Sequence, residues 1–469
     1  MQILERIAII AVLNLIFFYK TLSYGYVGDD VERAERKEPI FKSNFHRWWI
    51  QFIGLRHLAP QVAHFISLVV HTICCVAIYL ALGRNNISFL AAILFSIHPM
   101  NIQGSVWISG RNYVTASILS LGMIAFPTFS WLFYMTTSHF AVNAWFAPLI
   151  FLGTKYWYMI GIIPLVWLID RTNRATLHRK MWETGGLKTT NTEMRAVKLQ
   201  KIIPYTKTFL YYLTLGIFPH TIGIEHTYLR GFGTNKTDND IGYKMNKIFW
   251  VGVLLLGILG FNFIRCMITG WTPFWFGLFW YFINISMWCN FVTYQQHITE
   301  RYAYLANIGL VYSLASILIN YPIAMGVFIV GYMVRLWYVM DMYRNDYWAV
   351  EYTIAESKNM YYMWLMRGVK KFCAKDYVGA IYDFNEAYNH KNYDLKVLYN
   401  IAVTSFVLGD TNRAKEFLGK AKENVYDELD EDVKPTFKGL EDYIKVVEEA
   451  RAKGETQIQI DLSRLSVVK

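Results

Sequence analysis

AHFISLVVHTICCVAIYLAL, residues 63–82, runs for twenty positions without an Asp, Glu, Lys or Arg. As a helix it would rise ~30 Å, the thickness of the hydrocarbon core of a bilayer. Working outward, similar apolar stretches recur at 3–24, 59–82, 87–98, 112–135, 140–152, 156–169, 207–224, 248–264, 274–293, 302–319 and 322–340, and none follows. The sequence therefore predicts an all-α protein, a polytopic transmembrane helical bundle of about eleven spans. With 54% apolar and 17% aromatic residues, the chain is too rich in such side chains for a soluble enzyme of 469 residues. Segment 3–24 has a basic residue early and no small-residue cleavage site after its apolar core, so it is expected to remain as the first helix.

Charge divides the chain in two. Residues 341–469 hold about three fifths of the Asp and Glu, so the net charge of +11 belongs to the membrane part. That excess marks topology and does not imply nucleic acid. Arg171, Arg174, Arg179, Lys180, Lys188, Arg195, Lys198 and Lys201 cluster in the 170–202 connection, which is expected on the cytoplasmic side. Counting spans from there places the first loop (25–58), the connection from His98 to Arg111, Lys155, the 219–247 loop, the 295–301 connection and the whole tail on the opposite face. The five cysteines are scattered and suggest small core residues, without disulfide or zinc spacing.

The tail reads as helices. Asp376/Asp410, Ala380/Ala414, Phe384/Leu418 and Ala387/Ala421 align at a spacing of 34, the period of tetratricopeptide helical hairpins. A TPR-like helical domain is expected over 341–453, closed by an amphipathic helix from about Lys434 to Ala450, with a flexible end at 454–469.

Four clusters on the non-cytoplasmic side carry chemistry. YVGDDVERAERK holds the adjacent Asp29 and Asp30, which suit a general base or a divalent cation. SIHPMNIQGSVWISGRNYV is bracketed by His98 and Arg111. Lys155 stands alone between two apolar segments. QQHITERYAYLANIG places Glu300, Arg301, Tyr302 and Tyr304 at a helix start, where a guanidinium fork suits phosphate oxygens. Singly, each fits a solvated loop, a surface anchor or a structural ion pair. Together they resemble a site for an anionic head group at a membrane surface. His220, Glu225 and His226 lie on the same side as metal-ligand candidates, although their spacing fits no metal motif.

The order of these motifs resembles the GT-C membrane glycosyltransferases, in the tetratricopeptide-repeat branch related to protein O-mannosyltransferases. GDD at 28–30 resembles the family's acidic pair in the first external loop, and 63–82, with His64 and His71, its second helix. LFSIHPMNIQGSVWISGRNYV resembles its HP…E..AW..GR segment, GTKYWYMIGIIPLVWLIDR its KE….LP…L.D segment, and ITERYAYLANIG its ADRY.YLP.IG segment. Gln103 stands where the family has Glu, Tyr156 where it has Glu, and Ala306 where it has Pro.

The resemblance implies transfer of a sugar from a polyprenyl-phosphate donor to an acceptor hydroxyl, with inversion. Asp29 or Asp30 would be the catalytic base, and Arg301, Arg111, Lys155 and His98 would bind the donor phosphate. Glu300, Tyr302 and Gln103 would support them. No cofactor is required, and a divalent cation at Asp29/Asp30 is an added expectation. The implied partners are the lipid-linked donor, the bilayer, a secreted or membrane acceptor (protein Ser/Thr, lipid or glycan) and a protein on the repeats. Size and the short repeat array favour a bacterial cytoplasmic membrane; in a eukaryote the expectation is the endoplasmic reticulum, where Asn235-Lys236-Thr237 would be an external sequon. The opposing reading is a catalytically inactive GT-C-derived scaffold whose repeats hold a secreted or surface assembly. A transporter is disfavoured, because no pair of Gly/Pro-broken half-helices repeats in inverted order.

Overall fold

A computed structural model of the chain describes residues 2–28, 30–31, 58–134, 142–151, 160, 202–223, 245–286, 288–289, 299–356, 361–390, 392, 394–425 and 434–453. Among them every regular element is helical. The chain forms two compact units, the first continuing through Glu356 and the second carrying the described helices from Tyr361 onward.

In the first unit, α1 (Gln2–Phe18) extends through a tighter turn at Tyr19–Ser23. It is followed by α2 (Pro60–Ala81), α3 (Asn86–Ser96), the short α4 (Ile102–Ser105), α5 (Arg111–Ala125), α6 (Ile202–Ile217), α7 (Lys247–Thr269), α8 (Pro273–Ser286), α9 (Glu300–Leu318), α10 (Pro322–Met340) and α11 (Asp346–Glu356). Four described stretches are long and apolar enough to cross a bilayer: Gln2–Ser23, Pro60–Ala81, Lys247–Thr269 and Pro322–Tyr343. A fifth is reached if α3 and the Pro99–Ser105 segment, bent by 61° to each other, count as one broken span.

The described helices thus supply four or five of the about eleven expected spans, several of which are near or below the minimum length in the sequence itself. In the 112–135 stretch, α5 stops at Ala125 because Pro127 cannot continue it. The 207–224 and 274–293 stretches hold α6 and α8, described over 16 and 14 residues, each bordering residues outside the described ones. The 302–319 stretch is α9, a central helix with sixteen of its nineteen residues buried. The 156–169 span and the basic 170–202 loop lie, apart from Ile160 and Ile202, outside the described residues, and 140–152 is described only from 142 to 151, as a tight helical turn.

The long helices are apolar on their outward faces as well as their inward ones. On α10, Ile323, Val327, Val330, Val334 and Trp337 recur at helical spacing and are all exposed, as are Val62, Phe65, Val69 and Ile73 on α2. Water would penalise such stripes, whereas lipid tails would not.

α8 and α9 pack with backbones nearly touching. A Cβ on Gly309 would sit 2.3 Å from the Gly277 carbonyl oxygen and 2.7 Å from Cδ1 of Trp280. Small residues permit this approach, which the Trp280 indole N–H reinforces by donating to the Leu305 carbonyl at 2.8 Å. Gly309→Ala is therefore expected to cost about 1–3 kcal/mol through backbone displacement. A thermal unfolding midpoint equal to wild type would disprove that tight crossing.

The first unit runs past residue 340 because its end is tied back to its beginning. The Tyr24 hydroxyl donates to Asp341 Oδ1 at 2.5 Å, Lys20 pairs with the same oxygen at 3.3 Å, and the Gly28 N–H donates to Asp346 at 2.6 Å. Hence α1 and α10 finish on one face of the unit.

The second unit contains α12 (Tyr361–Cys373), α13 (Tyr377–His390), α14 (Leu395–Val407), α15 (Thr411–Val425) and α16 (Lys434–Ala452). Two helical hairpins repeat at a spacing of 34. Asp376 and Asp410 cap α13 and α15, each accepting from the N–H three residues on, at 2.9 Å. Lys375 and Gly409 precede them with φ of 65° and 87°. Ala380, Ala387, Ala414 and Ala421 are fully buried at the crossings, with Phe384 and Leu418 between them. Helix α16 lays Phe437, Leu440, Ile444 and Val447 into the same core, so the stack does not end on an open apolar face.

Candidate functional site

The face where α1 and α10 end also receives the N-termini of α2, α5 and α9. His64, one turn into α2, contacts the Gly25 carbonyl at 3.1 Å, and the Ala63 carbonyl accepts from Arg111 at the start of α5. Arg301, at the start of α9, has its guanidinium 5.0 Å from the ring of Trp107, whose indole N–H donates to the Val27 carbonyl at 3.1 Å. Three helix N-termini directed at one region favour negative charge there.

Gly28 makes the turn that leads to Asp30. Its φ of +59° lies in the left-handed region, and the N–H groups of Asp30 and Val31 fold back to the Val27 and Gly28 carbonyls. Asp30 is buried, and its carboxylate accepts from the Ser109 hydroxyl. Asp29 lies outside the described residues.

Arg111 is 1% exposed, donating from Nε to Ser67 Oγ at 2.8 Å and from Nη2 to the Ala63 carbonyl at 2.6 Å. It interacts electrostatically with Asp30 and Tyr26. Burial raises the Tyr26 hydroxyl pKa above its ordinary value; the Asp30 charge adds to this and Arg111 opposes it. Arg111 is thus held by Ser67 and Ala63 within electrostatic reach of Asp30.

Arg301 is held between aromatic rings. Its guanidinium carbon lies 5.0 Å from the Trp107 ring and 5.1 Å from that of Tyr302, and it interacts with the Tyr113 hydroxyl. Tyr302 stacks on Trp288 with centroids 3.7 Å apart and planes within 6°. Glu300 accepts from the Gly223 N–H at 2.8 Å, and Tyr343 lies within electrostatic reach of Glu300, Arg301 and Asp30. Asp30, Arg111, Glu300 and Arg301 thus gather in one region.

His98 and Gln103 are both engaged within the bundle. His98 contacts the Gly216 carbonyl through Nε2 at 2.8 Å and accepts the Met100 N–H at Nδ1 at 3.2 Å, so neither ring nitrogen is left for a phosphate. It shapes the bend after α3 instead. Gln103 is fully buried; its Nε2 donates to the Gly223 carbonyl at 2.8 Å and its Oε1 accepts the Arg301 N–H at 3.0 Å. An amide serves both partners, whereas a carboxylate would face the Gly223 carbonyl with no proton to give. Lys155, Tyr156, Glu225 and His226 lie outside the described residues. His220 is exposed, with Nδ1 2.9 Å from the Phe218 carbonyl. Among the described residues, no three His, Cys, Asp or Glu side chains cluster as a metal site.

Sequence reasoning missed Trp107, Ser109 and Tyr343. The first two lay inside the stretch bracketed by His98 and Arg111, where an indole and a hydroxyl in a short connection were the available signal. Tyr343 follows the last apolar stretch and had none.

The chain matches no known protein family, curated protein or solved structure in these comparisons.

Proposed function

We propose that the chain is a multi-pass membrane glycosyltransferase of GT-C type. It would move a sugar from a polyprenyl-phosphate donor to an acceptor hydroxyl on the non-cytoplasmic face, with tetratricopeptide repeats as its C-terminal domain. The observation that carries this reading is the gathering of Asp30, Arg111 and Arg301 where the apolar helices α1 and α10 end. That is where a lipid-linked anion would present its head group. The acceptor oxygen forms a bond to the anomeric carbon while the bond from that carbon to the phosphate oxygen breaks. The acceptor proton passes to Asp29 or Asp30, and the lipid phosphate leaves as an anion beside Arg301. Attack opposite the leaving group inverts the anomeric centre. Arg111, which interacts electrostatically with Asp30, adds positive charge beside the base.

The structural use of Gln103, where the resembled family carries Glu, favours the second reading, an inactive scaffold of the same fold. Proteoliposomes carrying the full chain, a radiolabelled polyprenyl-phosphate hexose and acceptor peptides separate the two. Transfer is expected with wild type and reduced at least about a hundredfold by Asp29→Asn or Asp30→Asn. Mass spectrometry of secreted proteins and surface glycans from cells lacking the gene supplies the acceptor. If no hexose-modified species changes and no label moves, the scaffold stands.

A further inference from the structure

We propose that Arg335 and Glu356 are positioning residues that fix Arg301 through the backbone of residues 219–223, an inference that rests on the transfer reaction proposed above. A guanidinium in an apolar helix such as α10 is costly unless its donors are used. Arg335 uses three of its five: Nε donates to the Pro219 carbonyl at 3.1 Å, and Nη2 donates to the His220 carbonyl at 3.0 Å and to Glu356 Oε2 at 2.8 Å. The same Glu356 oxygen accepts the Ile222 N–H at 3.4 Å. The pair therefore grips residues 219–222.

The next residue carries the grip into the site. The Gly223 N–H donates to Glu300, its carbonyl accepts from Gln103, and Gln103 accepts the N–H of Arg301. Hydrogen bonds joined by the peptide bond from Ile222 to Gly223 thus link a salt bridge between α10 and the end of α11 to the first turn of α9. Gly223 sits between the two halves, so both Glu300 and Gln103 take their position from a strap that Arg335 and Glu356 hold. A guanidinium that must meet developing charge on a phosphate loses effect when displaced by a fraction of an ångström. The pair is partly buried, with side chains 22% and 14% exposed, so solvent screens it only in part.

Full-length Arg335→Gln, Arg335→Lys and Glu356→Gln, reconstituted in proteoliposomes, test this by amide hydrogen exchange and by transfer kinetics with the labelled polyprenyl-phosphate hexose. Arg335→Gln and Glu356→Gln are expected to speed exchange in peptides covering 216–223 and 299–305 about tenfold, leaving 361–425 unchanged. They should lower kcat about tenfold with KM for the donor held. Arg335→Lys, which keeps a charged donor without the fork, should fall between. Unchanged exchange at 299–305 in Arg335→Gln overturns the proposal. Exchange needs no turnover, so a wild-type chain that transfers nothing would refute the transferase reading while the exchange result still judged the strap. Should Arg335→Gln fail to fold, Glu356→Gln decides, because it retains an acceptor for Ile222 and removes only the charge.

Discussion

Arg301→Ala is expected to lower sugar transfer about a thousandfold, with the donor KM changed much less. Its guanidinium is fixed between Trp107 and Tyr302 and beside Tyr113, so little reorganisation is needed when charge appears on a leaving phosphate. Arg301→Lys keeps the charge but loses the planar fork and its stacking, and about a tenfold loss is expected. Initial rates over a range of donor concentrations check both variants. An alanine variant that transfers at the wild-type rate would remove Arg301 from the reaction.

Asp383→Ala should have the largest effect on stability. The Asp383 carboxylate is fully buried, receives Arg367 through two bonds of 2.9 and 2.8 Å, and pairs with Lys371 at 2.9 Å. Removing it leaves Arg367, 15% exposed, against a cavity without its counter-charge, a loss of about 3 kcal/mol. Lys371 is nearly a third exposed and can turn to water, so it adds little. Pulse proteolysis in urea, following cleavage within 361–453, should show the helical repeats opening at lower denaturant. Asp383→Asn, which retains acceptors, should lie between. An unshifted midpoint would show that the buried ion pair contributes nothing net.

Local physics was legible and long-range contact was not. The expected stretches 3–24, 59–82, 248–264 and 322–340 match described long helices to within a few residues, because continuous apolarity at bilayer length is a strong local signal. The alignment of Asp376 with Asp410 and of Ala380 with Ala414 gave the hairpin repeat, since caps and small crossing residues recur for local geometric reasons. What the sequence left open was the surroundings of α9: Asn101 meets Asn307 at 2.9 Å and the Ser313 hydroxyl donates to the Phe274 carbonyl at 2.7 Å, both inside the bundle.

In the site, Asp30, Arg111, Glu300 and Arg301 were picked out by charge beside apolar segments, where charge is expensive. His98 carried the same signal and turned out to serve the backbone. A neutral imidazole satisfying a carbonyl and an N–H is indistinguishable in sequence from one waiting for a ligand. The Arg335–Glu356 pair was invisible because it spans two helices and acts through residues more than a hundred positions earlier.

The turns joining the two helices of each hairpin share a backbone posture that their letters do not show. Lys375 and Gly409 share no chemistry, yet both twist the chain to the left at equivalent points, a posture most side chains resist. A left-handed residue just past a helix lets its last carbonyls be satisfied as the chain reverses, so the two hairpins fold back alike whichever side chain stands there.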